Sequence, residues 1–160
     1  MRIDASASCH DSRVWRLAGQ ARNALSTGRR NRLNPSHLAR WHGYIKSHDE
    51  EVLWDMLHPD VVFESPVVHT PQKGREITFK YLKAAFVVLG GPGFHYVGEW
   101  QNDNGVILEF VNEIDGIKLN GIDMITWNDA GQITHFKVMV RPLKAMNMLH
   151  QMMGSQLAKG

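Results

Sequence analysis

FHYVGEWQNDNGVILEFVNEIDGIKLNGIDMITWNDAGQITHFKVMVR, residues 94–141, is the stretch on which the fold turns. Four runs of alternating apolar residues lie in it, about Phe94–Trp100, Val106–Ile114, Ile117–Trp127 and Gln132–Arg141. The separators are turn residues. Asn104-Gly105 and Asp115-Gly116 are pairs that reach the positive φ demanded by tight turns between twisted strands, and Asn128-Asp129-Ala130-Gly131 supplies a third turn. The prediction is a meander of four antiparallel strands.

Upstream, Arg75–Leu89 has helical spacing with Ile77, Tyr81, Leu82, Ala85 and Val88 inward, opened by Gly74 and ended by Gly90-Gly91-Pro92-Gly93. Val61–Ser65 is a short strand stopped by Pro66. Two helices precede it. Ser36 caps the first, which carries Leu38, Trp41 and Ile45. Asp49 caps the second, with Val52, Leu53, Met56 and Leu57 as its stripe and His58-Pro59-Asp60 as its breaker. Downstream of Pro142, Leu143, Met146, Leu149 and Met153 would form one face of a C-terminal helix. Three N-terminal helices cannot cover both faces of a strongly curved sheet. They can cover the concave face and leave a pocket, which makes an α+β domain over residues 35–160.

Charge separates that domain from what precedes it. Residues 1–34 contain seven arginines and two aspartates; removing them from totals of 18 basic and 16 acidic side chains leaves 11 against 14 over residues 35–160. A mildly acidic body argues against a nucleic-acid face, which needs a basic patch on the domain itself. Residues 1–34 read as a basic leader or disordered tail, as a targeting peptide, or as an added helix through Val14, Leu17, Ala18, Ala21 and Leu25. No apolar run approaches the roughly 20 residues of a membrane helix. Cys9 is the single cysteine, which excludes an intramolecular disulfide and fits a cytoplasmic location. His37, His42 and His48 are spaced to point different ways around a helix, so no metal site is expected, and the absence of a glycine-rich phosphate loop points to no cofactor.

Val62-Phe63-Glu64-Ser65-Pro66-Val67, Gly74 before the long helix, and Gly121-Ile122-Asp123-Met124-Ile125-Thr126-Trp127 followed by Asn128–Ile133 together resemble the nuclear-transport-factor-2-like (NTF2-like) or SnoaL-like superfamily, which includes ketosteroid isomerase. The resemblance covers about Leu38–His150. It implies a cone of three helices on a curved, mainly antiparallel sheet enclosing an apolar pocket. Ketosteroid isomerases place a general-base Asp before the strand-ending proline, where this chain has Ser65, and a Tyr on the first helix, which falls near Trp41 or, three residues on, Tyr44. Asp123 stands where that family places its oxyanion Asp. The limonene-epoxide-hydrolase type wants a carboxylate on the last strand, where this chain has Val138. Neither of those two reactions is therefore expected.

Asp123 interrupts a face made of Leu119, Gly121, Ile125 and Trp127. If that face is the pocket, desolvation raises its pKa and lets it donate a proton near neutral pH; on the outer face it would be an ordinary paired carboxylate. His69, in the apolar Pro66–Pro71 loop, is a second acid–base candidate at the mouth, or else only bonds a backbone carbonyl. The ligand contacts expected are Trp41, Tyr44, Phe63, Ser65, Ile125, Phe136 and Val138. On the last strand the resemblance turns Phe136 and Val138 inward and leaves Lys137 and Met139 on an outer face, through which such folds often pair as homodimers. The functional expectation is a cofactor-free isomerase, lyase or cyclase acting on a small apolar carbonyl or hydroxylated compound. The alternative is a non-catalytic ligand-binding or protein-interaction module of the same fold.

Overall fold

The computed structural model describes residues 34–159; the three readings of the basic N-terminal segment lie outside them. In chain order the elements are α1 (Pro35–Ser47), α2 (Glu50–Met56), β1 (Leu57–Glu64), β2 (Gln72–Lys73), α3 (Arg75–Leu89), β3 (His95–Gln101), β4 (Gly105–Ile114), β5 (Ile117–Trp127), β6 (Ile133–Arg141) and α4 (Leu143–Leu157). The six strands form one open sheet in the order β2-β1-β6-β5-β4-β3. All neighbours are antiparallel except β1 and β6, which run parallel; β2, α3 and the strands β3 to β5 separate them in sequence. The expected α+β architecture holds, with four helices and a mixed sheet.

Several local readings are corrected. The cap of α1 is Asn34, whose side chain accepts from the Ser36 amide at 3.0 Å, with Pro35 at the first helical position where its missing N–H costs nothing. Asp49 caps α2 as expected, accepting from Glu51 and Val52. That helix stops at Met56, and Leu57 already belongs to β1. His58-Pro59-Asp60 therefore lies inside the strand, at a register shift between Leu57 and Val62 that accommodates the proline. Asp115 and Gly116 have φ of 50° and 74°, as their turn requires, whereas Asn104-Gly105 does not enter positive φ. The β3–β4 turn is held instead by Asn102, whose side-chain oxygen accepts from the amides of Asn104 (3.1 Å) and Gly105 (2.7 Å).

The helical stripes also shift. In α3 the buried residues are Thr78, Leu82, Ala84 and Val88, while Ile77, Tyr81 and Ala85 are half-buried, because the helix packs on β1, α2 and α4 at once. In α4 the buried line is Ala145, Leu149 and Met153, at i, i+4 and i+8; Leu143 is exposed and Met146 half-buried.

The core lies on one face of the sheet. Leu108 and Phe110 of β4, Leu119, Ile125 and Trp127 of β5, and Ile133 and Phe136 of β6 are buried there against Trp41, Leu53 and Leu82. Gly121 takes part through its lack of a side chain: a Cβ there would collide with the Phe110 ring and meet the Met139 carbonyl oxygen at 2.7 Å. The large residue on β4 and the small one opposite on β5 thus fit together across the ladder.

Candidate functional site

Between the inner sheet face and the helices lies a cavity of about 70 Å³. That is about half the size of an apolar cavity that takes up benzene, so a larger ligand requires its walls to move. β6 supplies Phe136, Val138 and Val140; α3 and α4 supply Phe86, Leu149 and Met153 from the other side. The walls are apolar almost throughout, with Ser65, Trp41, Tyr96 and Asp123 carrying the polar side-chain atoms.

Asp123 lies on the inner face of β5, opposite Leu108 of β4 and Val138 of β6, and is only 7% exposed. Its Oδ2 accepts a hydrogen bond from the Tyr96 hydroxyl at 2.8 Å, and the Tyr96 oxygen in turn accepts from the Trp41 indole N–H at 3.1 Å. Burial pushes the Asp123 carboxyl up to about 7, the Tyr96 bond pulling the other way but not enough to offset desolvation. Tyr96 is itself held well above the ordinary phenol range, by burial first and by the neighbouring carboxylate second. Near neutrality Asp123 therefore populates both forms: a carboxylate able to take a proton and an acid able to give one.

Of the residues singled out from sequence, the structure gathers Trp41, Phe63, Ser65, Phe136, Val138 and Asp123 around this cavity. Tyr44 packs behind Trp41, with ring centroids 5.5 Å apart, and Ile125 is buried in the adjoining core, so neither lines it. His69 is exposed and does not line the cavity; it lines a neighbouring groove with Glu64, Lys137 and Met139 that shares Ser65, Pro66, Val67, Val138 and Val140 with the cavity wall. Ser65 is at the cavity, where its Oγ accepts from the Val67 amide at 3.2 Å. No group of three or more His, Cys, Asp or Glu side chains placed to hold a metal occurs among the described residues.

Tyr96 is the cavity residue beside Asp123 that the sequence reading missed. It comes from β3, two strands from Asp123, and points inward because of a bulge between Tyr96 and Gly98. Four residues apart on a regular strand, Tyr96 and Trp100 would share a face. With the bulge, Tyr96 pairs with inward Phe110, while Trp100 pairs with Ile107 and is exposed. Gly98, a glycine inside a strand pattern, was the available signal.

Among solved structures, a steroid delta-isomerase from Pseudomonas aeruginosa is 36% identical, with a TM-score of 0.74, covering 79% of this chain and 95% of its own. An uncharacterised bacterial protein with a cystatin-like fold from Silicibacter pomeroyi is 27% identical (TM-score 0.69), covering 75% of this chain and 84% of that one. An NTF2-like protein of unknown function from Mesorhizobium loti, 18% identical with a TM-score of 0.57 over 67% of this chain and 89% of that one, shares the fold. No family model matches the sequence, and no curated protein matches it. The chain belongs to the NTF2-like, ketosteroid-isomerase-like superfamily.

Proposed function

We propose that the protein binds a small, largely apolar molecule carrying one carbonyl or phenol-type oxygen, and that Asp123 exchanges a proton with it in a cofactor-free isomerisation, lyase or cyclisation step. The observation that carries this reading is a single buried carboxyl, pushed up to about 7, in an otherwise apolar cavity. Such a group is wasteful for stability and useful for acid–base work at neutral pH. Among the described residues, Asp123 and Tyr96 are the titratable ones in the cavity wall. One carboxyl would therefore have to take the proton and return it. The Pseudomonas relative is described as a steroid delta-isomerase; here Ser65, engaged with a backbone amide, stands in place of that reaction's expected base.

Ser65 equally favours a second reading, a ligand-binding module without turnover. We further propose that the protein works in the cytoplasm and pairs with a second copy through the outer sheet face, where Trp100 and Met139 are exposed.

The test is phenol binding, by calorimetry at pH 6, to the native protein, Asp123→Asn and Asp123→Leu. Asn keeps a donor and the shape, so affinity should survive. Leu removes the donor and should weaken binding by about 10- to 100-fold, corresponding to roughly 1–3 kcal/mol for an unpaired buried oxygen. Equal affinity in all three would reduce Asp123 to a structural residue. Binding without any proton exchange at the ligand, followed by deuterium incorporation from solvent, would leave the non-catalytic module.

A further inference from the structure

The cavity acid is the end of a three-residue chain that starts on α1, and the direction of that chain is fixed by its first member. An indole N–H only donates. The Tyr96 oxygen must therefore accept from Trp41, which leaves its single hydrogen for Asp123 Oδ2. A protonated Oδ2 donating to Tyr96 instead would strand the Tyr96 hydrogen, because Trp41 and Asp123 are the hydrogen-bond partners of that hydroxyl among the described residues. The arrangement that wastes no bond places the proton of neutral Asp123 on Oδ1, the oxygen that Tyr96 leaves free.

We propose that Trp41 is a positioning residue, which acts through Tyr96 to hold the exchangeable proton of Asp123 on the oxygen left for the ligand. This rests on the pocket reading above for its purpose, though the hydrogen-bond order does not. It also narrows the ligand class. Neutral Asp123 presents one donor to one acceptor oxygen, as a ketone or an enolate offers, and it has no second donor from Tyr96 to share.

Trp41 is suited to the role because it cannot easily turn. Its side chain is 1% exposed and wedged between Tyr44 and Phe136, with ring centroids at 5.5 and 5.1 Å. Among the described residues His42 is an ionisable neighbour of the chain: its ring lies 5.7 Å from that of Tyr96 and its Nε2 is 3.4 Å from Glu99 Oε2. His42→Gln is therefore the control for a through-space effect on the same titration.

The experiment is a double-mutant cycle read by carboxyl NMR titration of Asp123 in the full chain. Tyr96→Phe removes the donor that favours the carboxylate, so the midpoint should rise by about one to two pH units. Trp41→Phe keeps the ring but removes the N–H that polarises the Tyr96 hydroxyl. It should raise the midpoint by a smaller amount, about a third of that or less, and should have no effect once Tyr96→Phe is present. A packing role for Trp41 would give the same shift in both backgrounds and would overturn the proposal.

Should Trp41→Phe fail to fold, the native protein carries its own readout. The Trp41 indole N–H resonance should follow the Asp123 titration with the same midpoint, whereas that of Trp54, on a different part of the core, should not. A flat Trp41 resonance would overturn the proposal. Phenol binding separates the two hypotheses: coupling without binding sinks the functional reading alone, and binding without coupling sinks the role of Trp41 alone.

Discussion

Tyr96 of β3 reaches across β4 to donate its hydroxyl hydrogen to Asp123 of β5 at 2.8 Å. The residues between them are Leu108 and Phe110, both buried, so the bond sits in an apolar setting in which one partner is a carboxyl near its midpoint at neutral pH. Burial raises the Asp123 carboxyl and this bond partly opposes the rise.

The carboxyl is raised from 3.8 in the unfolded chain to about 7 in the fold. Between those values the folded state binds more protons than the unfolded one, so stability falls as pH rises through that window and levels off above it. The full effect is of the order of a few kcal/mol. Chemical denaturation from pH 4 to pH 8 should show this decline, and Asp123→Asn should flatten it. A native protein whose denaturation midpoint rises across the window would contradict the burial of Asp123.

Gly121→Ala should destabilise the domain by about 1–3 kcal/mol, as overpacking does in a close-packed core. The added methyl meets the Phe110 ring and the Met139 carbonyl, neither of which is the free end of a flexible chain. Combining it with Phe110→Leu should recover part of the loss. Thermal unfolding of the three variants checks both statements.

Leu149→Ala enlarges the cavity from the side of α4, because Leu149 is buried and lines it. The expected cost is about 2–4 kcal/mol of stability. The compensating gain is room: an alkylphenol rejected by the native protein should bind. Isothermal calorimetry with phenol and 4-ethylphenol on both proteins makes the comparison.

Self-association is checked on the outer face. Met139 is 52% exposed and pairs in the ladder with Ile122, one row from Trp100, Ile107 and Met124. If a second copy covers this face, Met139→Lys buries a charge without a partner and should shift the mass by light scattering from dimer toward monomer at micromolar concentration. A monomer mass for the native protein would end the proposal.

The meander, the residues that share a face on β5 and β6, and the place of Asp123 among apolar neighbours were legible in the sequence, because period-2 alternation and turn residues act over a few residues of contiguous chain. Which face of β6 turns inward came from the family resemblance, and that of β5 was left open. Asp49, Gly74 and Asp115-Gly116 were legible for the same reason: a cap or a tight turn is a local bond between near neighbours. Tertiary structure alone decided the rest. Pro59 is absorbed within β1 because β1 pairs with β6, over 70 residues away, and a register shift there relieves the missing N–H. Asn102, not Asn104-Gly105, holds the β3–β4 turn, and which side chain wins depends on how far the ladder extends. Of the loop after β1, Pro66 and Val67 line the cavity and His69 lines only the groove beside it. Tyr96 enters it because one bulge reverses the phase of β3. A one-residue slip sends every later side chain to the other face of a sheet, so the partner of Asp123 was set by strand pairing, which no local pattern encodes.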